Sequence, residues 1–338
     1  MNAVELFSAL GRRLVSDDGC LLVPPSVVAE AVTKNPWFTA EGIESAVRAV
    51  ADRMLQREAL ESWHAAYCLP AGESKNVTVI VAGNLPLVGF ADLLYVLAAG
   101  CRCLLKCSSK DRVLMEWVVG QLRAIDPQVS VALIENFDTA VPDALIATGS
   151  DNANRCFSKM FPGRPALLRR NRMSVAVLSG GETDDDLQAL SDDVFLFWGM
   201  GCRNVSRVFL PTGFDLQRLL AVFRERKITH PGYLDAYRHH RALLQMRREA
   251  FLDGGFFVMR QAVGEGRSEA LPDLLYSFYG ELSEIEGYLT RHDPDIQCVV
   301  TRALTHPRRT GFGETQRPGL ADYPDGVDVM RFLSDAFR

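Results

Sequence analysis

Short apolar runs alternate with amphipathic segments between residues 77 and 160, and this alternation constrains the fold more than any other feature of the chain. Apolar runs bounded by turn residues are typical of buried strands, and apolar residues at helical spacing are typical of helices. Together they predict an α/β fold, a doubly wound parallel sheet covered on both faces. The ligand of such a sheet binds where strands end and helices begin. The predicted strands are 77–82, 102–107, 129–134 and 144–148, and the predicted helices are 86–99, 111–125 and 151–160.

The segments on either side of this region predict further elements. Apolar stripes at helical spacing in the N-terminal region predict a helical cap. Beyond the alternating region, an acid-started helix leads to a β-branched run that is ended by Pro211. The predicted helices are 4–15, 25–33, 41–63, 184–198, 214–227 and 233–250, and the predicted strands are 205–210, 254–259 and 296–302.

Composition excludes several classes of function. The 338 residues are 48% hydrophobic, which is enough material for two domain cores. A net charge of −5 with dispersed Lys and Arg argues against a nucleic-acid partner. No apolar run has the length of a membrane span, and the N-terminus has no signal-peptide pattern. The eight cysteines form no CxxC pair and no zinc-type cluster with histidine, so we expect no metal site and a cytoplasmic location.

Three of the predicted strand-to-helix turns carry polar residues suited to a ligand. A helix N-terminus presents backbone amides that bind phosphate. The same residues are also ordinary helix caps or solvated cations, so the residues alone leave both interpretations open. Neither a GxGxxG fingerprint nor a Walker lysine accompanies them. The residues are Asn84 in the first turn, Lys106, Ser108 and Ser109 in the second, and Gly149 and Ser150 in the third.

Cys202 lies between a predicted helix and a predicted strand, beside Gly199 and Gly201. Glycine permits close backbone approach and unusual dihedral angles, so we expect Cys202 on a tight turn with its amide exposed. Arg203 and Arg207 would favour a thiolate, the form that acts as a nucleophile. The alternative is a small buried hydrophobe, and the local sequence by itself favours that alternative.

These turns and the cysteine belong to a set of short motifs that occur in a specific order. The motifs are Asn-Pro-Trp-Phe-Thr at 35–39, Gly-Asn-Leu-Pro-Leu at 83–87, Leu-Leu-Lys-Cys-Ser-Ser at 104–109, Ala-Thr-Gly-Ser at 147–150, Gly-Met-Gly-Cys-Arg-Asn-Val-Ser-Arg at 199–207 and Gly-Glu-Thr-Gln-Arg-Pro at 313–318. In this order they resemble the aldehyde dehydrogenase superfamily, and more closely the LuxC-like acyl-CoA reductases that act in bacterial luminescence. The resemblance runs from about residue 35 to residue 338. It implies an aldehyde-dehydrogenase-like fold, with a doubly wound parallel-sheet cofactor domain and an α/β catalytic domain.

The resemblance also implies a role for each matched residue. Cys202 matches the thiol that attacks an acyl carbonyl. Asn84 matches the side chain that stabilises the oxyanion together with the Cys202 amide. Arg207 matches an arginine that we expect to give structural support. The implied cofactor-binding residues are Lys106 on the adenosine ribose, Ser108 and Ser109 beside it, and Gly149 and Ser150 on the phosphates.

One departure from the superfamily concerns the fate of the acyl group. Hydrolytic aldehyde dehydrogenases use a glutamate to activate the water that releases an acid. The matching position here lies at or near Arg169, and the stretch 166–180 contains no acidic residue. Without that base, water competes poorly for an acyl-enzyme. The resemblance therefore implies reduction of an acyl thioester to an aldehyde, such as a fatty aldehyde, through a Cys202 thioester and a thiohemiacetal. Hydrolytic aldehyde oxidation and an acyl-carrying, non-reducing partner subunit are the alternatives.

A second departure concerns the cofactor. Ser109 stands where relatives that prefer NAD often have a glutamate on the ribose 2′-hydroxyl. A neutral serine flanked by Lys106, Lys110 and Arg112 favours a 2′-phosphate, so we expect NADPH (NADP) as the cofactor.

The remaining expectations concern partners and organisation. The expected acyl donor is an acyl-CoA or an acyl-carrier thioester, with an acyltransferase or ligase as a further partner. The sequence before Val77 leaves little room for the hairpin through which many superfamily members oligomerise, and a homodimer is the expected assembly. The expected domains are 1–172, the helical cap with the NADP-binding domain, 173–312, the catalytic thiol domain, and 313–338, a tail packing back on the cofactor domain.

Overall fold

The predicted alternation of strands and helices is present in the computed structural model, which describes residues 1–67, 74–136, 141–149, 151–266, 268 and 270–338. Within these ranges the chain divides into two units. The first comprises Met1–Asn171 and Arg317–Arg338, and the second comprises Arg172–Gln316. No helix in the described ranges has the length and apolar character needed to cross a bilayer.

The first unit begins with a helical cap and continues into the alternating region. The cap consists of α1 (Ala3–Leu14), α2 (Pro25–Lys34), α3 (Ala40–Met54) and α4 (Arg57–Ala65). The alternating region consists of β1 (Asn76–Ile80), α5 (Phe90–Ala98), β2 (Arg102–Lys106), α6 (Arg112–Ile125), β3 (Val131–Leu133), β4 (Ala144–Thr148), α7 (Asp151–Met160) and β5 (Ala166–Arg169).

These five strands form one parallel sheet in the order β3-β2-β1-β4-β5. Side chains of a strand alternate between the two faces of its sheet. Val77 and Val79 of β1 accordingly join the large core that contains α5, α6 and the cap, while Ile80 joins Leu145 and Phe157 of α7 in a separate cluster. Both faces are covered, so the predicted doubly wound parallel sheet is confirmed.

The prediction of one helix over 41–63 is wrong, because α3 and α4 are separate helices. The Gln56 side-chain amide donates to the Ala51 carbonyl at 2.9 Å at the break. Leu55 packs against α1, where a Cβ added to Gly11 would lie 3.0 Å from the Leu55 Cβ. Apolar spacing is the same on both sides of the bend, so the sequence pattern does not reveal it.

The second unit contains a sheet of seven strands and is followed by the last helix of the first unit. The elements of the second unit are β6 (Met173–Val177), α8 (Asp184–Phe195), a 3-10 segment (Leu196–Gly199), β7 (Val205–Pro211), α9 (Leu216–Arg224), α10 (Pro231–Arg247), β8 (Leu252–Asp253), β9 (Val258–Gln261), β10 (Asp273–Tyr279), α11 (Leu282–Arg291), β11 (Ile296–Thr301) and β12 (Arg309–Thr310), and the last helix is α12 (Val329–Ala336). The strand order is β12-β11-β6-β7-β10-β9-β8, with only β8 and β9 paired antiparallel among these strands. The predicted strand 254–259 starts later, at Val258, because the Gly254 amide donates to the Phe257 carbonyl in the turn between β8 and β9.

The C-terminal segment of the first unit lies against the helical cap and α5. The Trp63 indole N–H donates to the Tyr323 hydroxyl at 2.8 Å, and the Tyr95 hydroxyl donates to the Leu320 carbonyl at 3.1 Å. Tyr67 donates to Asp328, the N-cap of α12, at 3.0 Å. These bonds join residues that are far apart in the sequence. Tyr95 and Leu320 are separated by 225 positions, and Tyr67 and Asp328 by 261.

A buried ion pair joins α5 to the end of β5 in the first unit. Asp92 and Arg169 are 2% and 4% exposed, and Arg169 donates to both carboxylate oxygens of Asp92, with Nη2 2.7 Å from Oδ1. Such a bidentate pair satisfies the carboxylate in a place that water does not reach.

Replacing Asp92 by Asn should lower the free energy of unfolding by about 3–5 kcal/mol, because the Arg169 charge stays buried without its carboxylate. Urea denaturation measures the loss. Glu61→Gln is the control, since Glu61 pairs with Arg57 at 52% exposure and water already screens that pair. Equal losses in the two variants would contradict the role given to the buried pair.

Candidate active site

The turn after β1 carries Asn84 and folds back over the end of the strand. The predicted start of the following helix is wrong, because α5 begins at Phe90. Leu87 has a φ of 56°, a left-handed conformation that an α-helix excludes. A Cβ added to Gly89 would lie 2.3 Å from Cγ1 of Val81, so this position requires glycine. Asn84 is half-buried within this turn.

Gly83 brings the first turn into contact with the second. Its carbonyl accepts a hydrogen bond of 3.0 Å from the side-chain amide of Asn35, which is 2% exposed. A Cβ added to Gly83 would lie 2.6 Å from the Ser108 Oγ and 2.9 Å from the Lys110 Cβ. The two turns therefore approach more closely than any side chain at Gly83 would allow. The sequence marks Asn35 only as part of the motif at 35–39, because its partner lies 48 residues away.

The second turn presents hydroxyl and ammonium groups at the end of β2. Lys106 and Ser108 are half-buried, while Ser109 and Lys110 are exposed. The Ser108 hydroxyl accepts from the Lys110 amide at 3.3 Å within this turn, and Asp111 is the N-cap of α6, so the alternative of a capping serine is wrong. Beneath this turn, burial raises the pKa of Asp111 well above its ordinary value, against the opposing effect of nearby backbone amides.

The third turn begins at Gly149, which is half-buried at the end of β4. Its amide donates to the Arg169 carbonyl at 3.4 Å, and the same carbonyl accepts from the Asn154 side chain at 2.8 Å. Ser150, predicted to contact cofactor phosphates, lies outside the described residues. The helix α7 starts directly afterwards, so its N-terminal amides are at the same edge of the sheet as Gly149.

The cations around Ser109 are not equivalent. Arg112 pairs with Glu116 on α6 and with Glu135, which follows β3. Two carboxylates therefore engage its charge. The expectation of a 2′-phosphate at this place depends mainly on Lys106 and Lys110.

The donor groups of the first unit fit a dinucleotide. Strands β2, β1 and β4 are neighbours in a parallel sheet, so their carboxyl ends and the turns that follow lie at one edge. Lys106 and Ser109 supply an ammonium and a hydroxyl for ribose or phosphate oxygens, while the space beside Gly83 is filled by Ser108 and Lys110. No group of three His, Cys, Asp or Glu side chains in the described part of the chain is arranged to hold a metal ion.

Cys202 belongs to the second unit and lies on a turn between the 3-10 segment and β7. It is exposed, so the alternative of a small buried hydrophobe does not describe it. The Asn204 amide closes this turn by donating to the Gly201 carbonyl at 3.0 Å. None of the described cysteines forms a disulfide.

The Asn204 side chain connects this turn to the end of α8. It is 4% exposed, and its Oδ1 accepts from the Gly201 amide at 2.8 Å. Its Nδ2 donates to the carbonyls of Asp193, Val194 and Leu196 at 3.1, 3.2 and 2.8 Å. No local signal predicts a functional role for Asn204, because a polar residue next to a strand has many ordinary explanations.

Ser174 of β6 holds the carbonyl of Cys202. Its hydroxyl donates to that carbonyl at 2.9 Å, accepts from the Cys298 amide at 3.2 Å and lies 3.0 Å from the Cys298 Sγ. A hydroxyl has one hydrogen, and Cys202 receives it, so the Cys298 thiol is the donor to Ser174. Burial raises the pKa of Cys298 to about 11, which keeps that thiol protonated.

The two residues Phe197 and Trp198, which precede the turn that carries Cys202, have left-handed backbone conformations. Phe197 and Trp198 have φ of 54° and 63°, each of which costs about 1–2 kcal/mol for a residue with a side chain. The Trp198 ring packs on the His230 ring with centroids 4.7 Å apart, and His230 caps α10. Strain of this kind persists only where surrounding contacts impose it, and it clusters at functional sites.

Arg207 is a structural anchor of the second unit. It is 2% exposed and donates to the carbonyls of Gly264 and Glu265 at 2.6 and 3.2 Å and to the Tyr288 hydroxyl at 3.3 Å. Its guanidinium also lies over the Tyr288 ring. These contacts explain its burial without any role toward the Cys202 thiolate.

Asp193 of α8 holds the loop that precedes the C-terminal segment. Its carboxylate accepts from the amides of Gly313 and Thr315 at 2.7 and 3.0 Å. Burial raises the pKa of Asp193 from 3.8 to about 6, against the lowering effect of these two amides. The same residue offers its backbone carbonyl to Asn204, so α8 joins the Cys202 turn to the 313–315 loop.

The fold resembles that of solved aldehyde dehydrogenases. Aldehyde dehydrogenase 21 from Physcomitrella patens, solved with the reaction product succinate, matches with a TM-score of 0.68 and 13% identity over 99% of this chain and 83% of its own. An NAD-dependent benzaldehyde dehydrogenase from Corynebacterium glutamicum matches with a TM-score of 0.63 and 13% identity over 90% of this chain and 77% of its own. The NADP-dependent glyceraldehyde-3-phosphate dehydrogenase from Bacillus halodurans, complexed with NADP, matches with a TM-score of 0.62 and 14% identity over 89% of this chain and 74% of its own. At this identity the likeness shows an aldehyde-dehydrogenase-like fold.

Sequence comparisons add no closer relationship. No protein-family model matches the chain. No curated protein matches its sequence.

Replacing Asp193 by Asn should remove a pH dependence of stability. The pKa is higher in the folded chain, so the contribution of Asp193 is fully present below pH 3.8 and is lost as the pH rises to about 6. The free energy of unfolding of the native protein minus that of the variant should fall by about 3 kcal/mol across this window and stay constant above it. Urea denaturation at a series of pH values measures it, with the exposed Asp185→Asn on the same helix as the control. A difference that rises with pH would contradict the assignment.

Proposed function

We propose that this protein is an NADPH-dependent reductase that converts an acyl thioester to an aldehyde, of the LuxC-like type. The observation that carries the proposal is the exposed Cys202 on a turn whose peptide groups are bonded by the buried side chains of Asn204 and Ser174. A nucleophile needs this combination of access and fixed geometry. The aldehyde-dehydrogenase-like fold supplies the context for a nicotinamide cofactor.

In the proposed reaction the Cys202 thiolate attacks the carbonyl carbon of the acyl thioester. A carbon–sulfur bond forms, and the carbonyl electron pair moves to oxygen. The Cys202 amide and the Asn84 side chain donate hydrogen bonds to that oxyanion. Collapse expels the thiolate of the donor and leaves the acyl group on Cys202. NADPH, held by residues such as Lys106, Ser108 and Ser109, would supply the hydride for reduction of this thioester, and Cys202 would leave as a thiolate when the resulting thiohemiacetal releases the aldehyde.

The position of the hydrolytic glutamate falls at or near Arg169, and the stretch 166–180 contains no acidic residue. The Arg169 guanidinium is paired with Asp92. The missing base supports reduction of the acyl-enzyme over its hydrolysis.

The proposed acyl donor is an acyl-CoA or an acyl group on a carrier protein. The test incubates the purified protein with acyl-CoA substrates of several chain lengths, with and without NADPH. Aldehyde formed with stoichiometric NADPH consumption supports the proposal. Acid formed from an aldehyde with NADP indicates the hydrolytic alternative, and a protein that is acylated at Cys202 without turnover indicates the partner-subunit alternative.

Cys202→Ala should abolish aldehyde formation and leave NADPH binding intact, because the thiol is the acyl acceptor and the proposed cofactor-binding residues belong to the first unit. Turnover and cofactor fluorescence titration measure the two effects. Cys20→Ala is the matched control, since Cys20 is another exposed cysteine, and it should keep full activity. Retained turnover in Cys202→Ala would reject the nucleophile.

Asn84→Ala should slow acylation of Cys202 by about 10²–10³-fold, the usual effect of losing one oxyanion donor. The acylation rate is followed in single turnover without NADPH. A rate within a factor of two or so of the native value would remove Asn84 from the proposed mechanism.

Ser109→Glu should shift cofactor preference from NADPH toward NADH, because a carboxylate repels a 2′-phosphate and accepts from a 2′-hydroxyl. The ratio of kcat/KM for the two cofactors measures the shift. Ser26→Glu, an exposed serine of α2, adds the same charge elsewhere and serves as the control. An unchanged ratio in Ser109→Glu would place the 2′-phosphate away from this turn.

A further inference from the structure

We propose that Asn204 is a positioning residue, whose buried side chain sets the direction of the Cys202 backbone N–H. The inference rests on the proposed function, in which this N–H donates to an oxyanion. It concerns a residue that does not itself touch the reacting atoms.

The direction of the Cys202 N–H depends on the peptide group between Gly201 and Cys202. Its carbonyl accepts from the Asn204 amide at 3.0 Å, which closes a turn of four residues. In a trans peptide the C=O and N–H bonds point in opposite directions. Because the Gly201 carbonyl points into the turn, the Cys202 N–H points out of it.

Asn204 also binds the other side of Gly201. Its Oδ1 accepts from the Gly201 amide at 2.8 Å. The side chain of Asn204 therefore holds the N–H of Gly201, while the backbone amide of Asn204 holds the C=O. The carbonyl of Cys202 is held separately by Ser174 at 2.9 Å. The orientation of the Cys202 N–H is therefore set by bonds that lie on both sides of it in the chain.

The anchor for this arrangement is the end of α8. The Nδ2 of Asn204 has two hydrogens, and these are shared among the carbonyls of Asp193, Val194 and Leu196. Carbonyls at a helix C-terminus lack partners within the helix, so these acceptors are fixed to a rigid element. A turn held in this way is preorganised, as an oxyanion donor must be.

Alanine at position 204 removes the bonds made by the Asn204 side chain, to the Gly201 amide and to the three carbonyls at the end of α8. The backbone amide of residue 204 still donates to the Gly201 carbonyl, but the turn is no longer tied to α8 and relaxes. A displacement of about 1 Å in a catalytic group is enough to lower a rate by about 10²-fold. The effect should be confined to reactions that develop negative charge on a carbonyl oxygen. Alkylation at saturated carbon develops no such charge and depends only on the thiolate.

The experiment compares two reactions of Cys202 in the full chain, each followed by mass spectrometry of the Cys202 peptide. In acylation by p-nitrophenyl acetate, the thiolate forms a bond to the carbonyl carbon and p-nitrophenolate leaves. In alkylation by iodoacetamide, the thiolate forms a bond to the methylene carbon and iodide leaves. The ratio of the two rates reports on oxyanion stabilisation, and it requires no knowledge of the natural substrate.

In Asn204→Ala this ratio should fall by about 10- to 100-fold relative to the native protein, with alkylation nearly unchanged. Thr301→Val is the matched control, because it removes buried hydrogen bonds to the Val177 carbonyl and from the Ala303 amide in the same unit. It should lower the melting temperature without changing the ratio. Should Asn204→Ala not fold, Asn204→Ser, whose shorter hydroxyl cannot reach both sets of partners, takes its place.

An unchanged ratio in the Asn204 variant, or an equal fall in Thr301→Val, overturns the proposal. A native ratio no higher than that of glutathione also overturns it. Failure of the proposed function is seen separately, as absence of NADPH-dependent aldehyde formation by the native protein. A loss of the ratio in Asn204→Ala together with inactive native protein would keep the positioning role and reject the substrate.

Discussion

The last carbonyls of α8 need hydrogen-bond donors that the helix itself does not contain. The buried Asn204 side chain supplies these donors from its Nδ2, and its Oδ1 accepts a hydrogen bond from the Gly201 amide. Burying an asparagine costs little free energy when all of its polar atoms are hydrogen-bonded. A side chain that makes only some of these bonds would leave buried polar atoms without partners. The exposed turn that presents Cys202 is therefore joined to a helix end, and the left-handed conformations of Phe197 and Trp198 are tolerated between the two.

The first unit is organised by close backbone approach. Gly83 lies so near Ser108 that no side chain fits there, and the Asn35 amide holds its carbonyl from the helical cap. Parallel strands place their carboxyl ends together, so the turns that follow β1, β2 and β4 occupy one edge of the sheet. Packing at Gly83 brings the first two of these turns into direct contact, and the buried pair of Asp92 and Arg169 fixes α5 to the end of β5.

Much of the secondary structure follows from local pattern. The strand Ala144–Thr148 and the helix Asp151–Met160 have the predicted bounds, because their apolar spacing and turn residues are local signals. The local pattern does not predict the break between α3 and α4 or the late start of α5, because tertiary contacts decide both. Leu55 packs against α1 at the break, and the left-handed Leu87 delays the start of α5. Candidate site residues were found by motif order, whereas Asn35, Ser174 and Asn204 acquire their roles from partners that no motif names.

The sequence by itself determined the alternation of strands and helices, the doubly wound sheet and the turns on which a ligand would bind, since periodicity and turn chemistry act over a few residues. Only the tertiary structure decided that Cys202 is exposed, because local sequence is compatible with either burial or exposure of a cysteine. It also decided the bonds that hold the turn. Ser174 and Cys202 are 28 residues apart and Ser174 and Cys298 are 124 apart, and the pairing of strands β6, β7 and β11 brings them together. Hydrogen bonds between such distant residues depend on the register of the sheet, which the local pattern does not contain.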